Sequence, residues 1–257
     1  MADEKQRYLG QFSITDATKN FTVGGFAGVL TTGDYYMSGS GSTQLVEHMQ
    51  VVIRALNFGF SYASATVTMS NTTGKITISL GKTDDIVWTD ASLGTILGFE
   101  VATIGSDEYI AAQQARYCWF PPNGLSLFPG IATDWWAPKS TTKAHISANG
   151  QTYSRKGNLL YDGRFEYRHL LPARVWKSGS AWWDSFESFF EDVIHEGAPI
   201  RCFPDRDQDS TSADYKTAMW APDEGKPVGS FSDLVGRNIK EYNGYWRVAL
   251  RFWKHVT

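Results

Sequence analysis

Residues 65–80, ATVTMS-NTTG-KITISL, alternate apolar and polar side chains on both sides of a four-residue polar turn. Val67 and Met69 share one parity before the turn, and Ile76, Ile78 and Leu80 share one after it. A period of two cannot lay one face of a helix on a core, so the run predicts an antiparallel hairpin with a single buried face. The signal recurs three times in the second half. KAHISA and QTYSRK flank Asn149-Gly150, NLLY and RFEYRHLL flank Asp162-Gly163, and GRNIKEY and YWRVALRFWKHV flank Asn243-Gly244. Asn-Gly and Asp-Gly tolerate the positive φ angles that tight hairpins require. In the last strand Trp246, Val248, Leu250 and Phe252 are expected to face in, with Arg247, Arg251 and His255 facing out. DIVWTD and LGTILGFEVA are read as further strands, with the LGF at 97–99 packing the floor of their domain.

Two stretches follow the helical period instead. From a cap at Ser42, TQLVEHMQVVIRALN repeats Leu45, Met49, Val52 and Leu56 along one stripe that Val46 and Ile53 widen, predicting a helix near 43–57. SAWWDSFESFFEDVIHEG predicts a second near 180–196, capped by Ser180 and stopped by Gly197. Trp182, Phe186, Phe189, Phe190, Val193 and Ile194 form its apolar face, and Asp184, Glu187, Ser188, Glu191 and Asp192 its polar one. Prolines and glycines punctuate 123–138, which reads as a linker rich in aromatic residues. The fold expected is mainly β with α+β character: two antiparallel sheet or sandwich domains, at 1–122 and 139–257, each with one amphipathic helix.

A 42% hydrophobic chain with 20% charged residues has ample material for a core. A net charge of −3 argues against clinging to phosphate backbones, and no nucleic-acid-binding motif is present. The charged start MADEKQRYLG has no apolar leader, and no run approaches the roughly 20 apolar residues that span a bilayer, so synthesis in a cytoplasm and no membrane partner are expected. Cys118 and Cys202 lie far apart in apolar contexts and are expected as unpaired buried thiols.

The loop CFPDRDQDSTSADY raises a metal question, because Asp205, Asp207 and Asp209 alternate as a calcium loop begins. Such a loop also needs Gly at its sixth position and Glu at its twelfth. Ser210 and Lys216 stand there. Flanking strands in place of helices favour a polar connection facing solvent or a neighbouring subunit over a metal site. Glu191/Asp192 and Asp84/Asp85 are sequence neighbours that a regular helix or strand points apart, so they do not announce an acid–base pair. The histidines, His48, His145, His169, His195 and His255, show no zinc spacing. No nucleophile elbow, P-loop or dinucleotide fingerprint occurs, so no catalytic residue and no cofactor are assigned. The chain's aromatic residues are abundant, 14% with 10 Trp. Trp135, Trp136 and Trp220 lie beside prolines and in presumed loops, where they suit interface anchoring at least as well as stacking on a sugar.

From WWDSFESFFEDVIHEGAPIRCFPDRDQDSTSADYKTAMW the second half, from about 140 onward, resembles the structural proteins of tailed-bacteriophage tails. An aromatic amphipathic helix, a glycine, an apolar strand, FPD and a polar loop leading to a Tyr-containing strand look like the distal tail protein that begins the baseplate. The resemblance implies a non-enzymatic virion protein of a tail tip or baseplate, forming a homo-oligomeric ring (a hexamer by resemblance) with copies of itself and docking other tail proteins. Trp135, Trp136, Trp220, Asp205, Asp207 and Asp209 are then interface candidates. A carbohydrate- or host-receptor-binding module of a tail fibre or tip is the alternative, and an enzyme acting on polysaccharide a third reading.

Overall fold

The computed structural model describes residues 7–38, 44–56, 61–99, 103–120, 136–140, 143–146, 152–155, 159–177, 185–203, 216–220, 231–235 and 239–254. Its first half runs β1 (Arg7–Gly10), β2 (Phe12–Ile14), β3 (Asn20–Val23), β4 (Phe26–Val29), β5 (Gly33–Tyr35), helix α1 (Leu45–Ala55), β6 (Thr66–Met69), β7 (Ile76–Val87), helix α2 (Ala91–Leu97), β8 (Thr103–Ile110) and β9 (Cys118–Trp119). The second half continues with β10 (Trp136–Ser140), β11 (Lys143–Ile146), β12 (Thr152–Arg155), β13 (Leu159–Leu170), α3 (Pro172–Val175) and α4 (Phe186–Phe189), which passes into a π-helical turn, Phe190–Ile194. Then come β14 (Ile200–Phe203), β15 (Lys216–Trp220), a 3-10 turn at Phe231–Leu234, β16 (Ile239–Tyr242) and β17 (Tyr245–Lys254). The fold is mainly β with α+β character, built of antiparallel sheets with few helices.

The hairpin at 66–80 forms as its alternation requires, with Val67, Met69, Ile76, Ile78 and Leu80 buried. Long β7 is lined along one edge by β8 and along the other by β6 and then β3, with β4 outermost. β17 repeats this plan, with β13 on one edge and β16 and then β15 on the other. Asn243 and Gly244 turn β16 into β17 with φ of 50° and 80°, as expected of a two-residue hairpin loop. Asp162-Gly163 does not turn. Both residues pair within continuous β13, where Gly163 stands between Trp136 and Phe252 in the register.

Of the predicted stripe the first helix buries Leu45, Val46, Met49 and Ile53, while Val52 is half-buried. Ser42 lies outside the described residues, and the N-cap is Gln44, with no side-chain cap. The amides of Leu45 and Val46 donate instead to the carbonyls of Tyr36 and Met37, which satisfies two donors that a helix start leaves open. LGTIL, residues 93–97, expected as strand, belongs to helix α2 (Ala91–Leu97). Leu93, Ile96 and Leu97 are buried at helical spacing, and Gly98 closes the helix in the left-handed region at φ 81°. Among the described residues the first half therefore has two helices where one was expected. For the second predicted helix, Ser180, Trp182, Trp183 and Asp184 lie outside the described residues. Ser185 makes the cap, its hydroxyl accepting from the Ser188 amide at 3.1 Å. Ser188, expected on the polar face, is buried. Phe186, Phe189, Phe190, Val193 and Ile194 are buried, the apolar face that the helical spacing predicts, carried on through the π-helical turn.

Two hydrophobic cores result, and β1 and β9 are their common wall. Successive residues of a strand face opposite ways. Leu9 and its partner Cys118 enter the first core, among the residues of 9–120, while Tyr8 and its partner Trp119 enter the second, under α4. On the other edge of β1, β14 puts Cys202 opposite Tyr8 in the second core. It puts Arg201 opposite Leu9, with the guanidinium 4.0 Å from the Tyr36 ring centroid. The large sheet thus runs β10-β13-β17-β15-β14-β1-β9, and hydrogen bonding joins both sides of the expected linker. Of that linker, residues 123–135 lie outside the described residues and 136–138 belong to β10.

Candidate functional site

The two cores meet at a cleft of about 460 Å³ where the chain leaves β1. Gly10 brings the strand onto the π-helical turn, and a Cβ there would lie 3.0 Å from Cβ of Val193 and inside both its methyls. Gln11, next in sequence, donates its amide to the Pro199 carbonyl at 2.9 Å, and Gly10 donates to Tyr117 at 2.8 Å. Tyr117 holds φ at 62°, a rare conformation for a bulky residue. Its ring lies flat on Phe12, with centroids 4.7 Å apart and planes at 6°. These rings, with Ala198 and Pro199, make the apolar wall.

The rest of the lining is rich in acids. Asp34, Glu191, Asp192 and Glu196 line the cleft together with Arg116. Arg116 clamps Asp192 with two parallel bonds, Nε to Oδ2 at 2.8 Å and Nη2 to Oδ1 at 2.7 Å. Asp192 holds the guanidinium charged more firmly than usual, while burial pushes the Tyr117 phenol up against the opposing pull of Arg116. Glu191 pairs with Lys177, and Asp34 accepts from the Ser13 hydroxyl at 2.5 Å. Glu191 and Asp192, expected on a solvated polar face, both line this cleft. Both are committed to cations, so the arrangement supplies charge and an aromatic surface more readily than a poised acid and base.

Of the residues singled out by sequence, Trp135, Asp205, Asp207 and Asp209 lie outside the described residues. Trp136 and Trp220 lie on β10 and β15. The register sets them in one row, Trp136–Gly163–Phe252–Trp220, across four strands. Among the described residues, no group of three or more His, Cys, Asp and Glu could hold a metal ion. Cys118 and Cys202 are free and buried, and burial pushes both thiols far above their ordinary range. Sequence reasoning missed Gln11, Phe12, Ser13, Asp34, Arg116 and Tyr117. β9, with Cys118, and β14, with Cys202, flank β1 on its two edges. No protein-family model, no curated protein and no solved structure matches this chain.

Proposed function

We propose that the chain is a non-enzymatic structural protein of a phage tail tip or baseplate, assembling with copies of itself into a ring and docking neighbouring tail proteins. The observation that carries this reading beyond the sequence resemblance is the outer edge of β4. Among the described residues no strand pairs there. Its sequence, FAGV, has no charge and no proline, and Phe26 and Val29 are 40% and 51% exposed on opposite faces. Soluble proteins guard such edges with charges, prolines or bulges, because unpaired amides and carbonyls recruit another strand. The opposite edge, β8, carries Asp107 and Glu108. An unguarded edge meeting a different surface on the next copy is the heterologous contact from which closed rings are made. Four residues give a small contact, so each copy adds little and the ring depends on many.

Negative-stain images and sedimentation of the purified chain test the reading. Rings or tail-complex incorporation are expected, dispersed by Phe26→Lys with Val29→Lys while the monomer's urea midpoint holds. A chain that stays monomeric at every concentration and does not join tail complexes refutes it. The alternative, a carbohydrate- or receptor-binding module, is favoured by the row that aligns Trp136 with Trp220. It predicts quenching of tryptophan fluorescence by host polysaccharide, lost in Trp220→Ala.

A further inference from the structure

We propose that His48 is a pH-sensitive latch: its unprotonated Nε2 holds the β4–β5 turn against α1 at Thr31, and a proton taken up at that nitrogen releases the turn. The Thr31 amide donates to Nε2 of His48 at 3.0 Å. A backbone N–H can donate only to a bare ring nitrogen, so the neutral imidazole carries its proton on Nδ1. The same turn is held from its other end, where the Tyr35 hydroxyl donates to the Thr31 carbonyl at 3.0 Å. The Tyr35 ring then stacks on the imidazole, with centroids 5.6 Å apart. Turn, tyrosine and histidine form one closed set.

Protonation acts on one member of that set. Stacking on tyrosine suits an imidazolium as well as an imidazole. The Thr31 contact does not survive, because two N–H donors then face each other. Among the described residues, the elements packed on α1 offer few titratable groups. β4 and β6, which pack on α1, carry none. β5 offers Tyr35 itself and Asp34, whose carboxylate is bonded to Ser13 across the β2–β5 pair. On α1, Glu47 precedes His48, and Arg54 donates to the Ala65 carbonyl. Burial holds His48 below its ordinary value, as a bonded neutral ring requires. The sign follows. The latch is fully made above about pH 6.5, the free value, and weakens as pH falls towards the lower latched value. The turn leads directly into β5, whose Asp34 lines the cleft, so release there reaches the seam between the cores.

Amide exchange of Thr31, normalised to its intrinsic rate, can be followed by NMR from about pH 8 to about pH 5, with the nitrogen-15 shifts of His48 read in the same samples. Protection of Thr31 is expected to fall roughly two- to tenfold as His48 protonates, the range one net hydrogen bond carries. At the alkaline end the Nε2 shift should be that of a bare nitrogen. His48→Gln, whose side-chain carbonyl can accept without titrating, should keep protection constant. His48→Phe, which keeps the stack and loses the acceptor, should lack it throughout. Thr31 protection that stays flat while His48 titrates, or a proton on Nε2 at the alkaline end, overturns the proposal on the wild-type chain alone.

Discussion

Replacing Gly10 with alanine tests the seam between the two cores most directly. The added methyl would sit 3.0 Å from Cβ of Val193 and closer still to both Cγ methyls. Rotating Val193 about χ1 exchanges one methyl for a hydrogen and leaves the other in the way. Val193 is fully buried, so the clash is relieved only by moving β1 from the π-helical turn. Overpacking of this kind costs about 1–3 kcal/mol, and we expect about 2–3 here because both neighbours are backbone-anchored. For a chain this long, that lowers Tm by about 4–6 °C. Val193→Ala alone removes two buried methyls, at about 1–1.5 kcal/mol each. In the double variant the alanine methyl introduced in place of Gly10 occupies the space Val193 vacates. The combined loss should then be about 2–3 kcal/mol rather than the 4–6 of simple addition, a coupling of about 2. Urea titrations of the four proteins measure this. Additivity to within about 0.5 kcal/mol, or a neutral Gly10→Ala, would refute the packing argument. Because Gln11 follows Gly10 into the cleft, the single variant should also perturb the Arg116–Asp192 clamp, and the double variant should restore it.

Two further outcomes rest on separate features. Gly98 and Gly197 both hold positive φ, at 81° and 67°, but a Cβ on Gly98 would meet the backbone, 2.9 Å from the Gln114 carbonyl oxygen, whereas Gly197 has open space. Gly197→Ala should cost about 1–2 kcal/mol of left-handed strain, and Gly98→Ala about 1–3 kcal/mol more from overpacking; equal urea midpoints would count against the distinction. Asp84 pairs with Lys82 at 2.6 Å and accepts from the Tyr62 hydroxyl at 2.8 Å, and these contacts, Lys82 first, hold its carboxyl below the ordinary range. A depressed folded value contributes stability above the unfolded one, near 3.9, that is lost as pH falls through the lower folded value. Asp84→Asn should therefore cost up to about 1 kcal/mol at neutral pH, the scale of a part-exposed pair, and nothing in strong acid. A gap between wild type and variant that is unchanged by pH would refute this.

Local periodicity carried much of the fold. The alternation at 65–80, the stripe from Leu45 to Ile53, the inward Val248 and Leu250 of the last strand and the Asn243-Gly244 turn all form as their spacing dictates, since each depends on neighbours within a few residues. Failures came where short-range signals conflict. Residues 93–97 contain β-branched residues and a glycine, yet Leu93, Ile96 and Leu97 need a helix to reach the core together. Asp162-Gly163 is a turn dipeptide that long-range pairing on both edges of β13 holds extended. The cleft was illegible for a stronger reason. Arg116 and Asp192 are 76 residues apart, and Phe12 meets Tyr117 only because β1 lies between strands drawn from the two halves. By itself the sequence determined which segments have one buried face and with what period. The tertiary structure decided that β1 would have two buried faces, joining two cores through Tyr8 and Leu9. A four-residue strand buried on both sides has no alternation to read, so only the packing around it reveals its place.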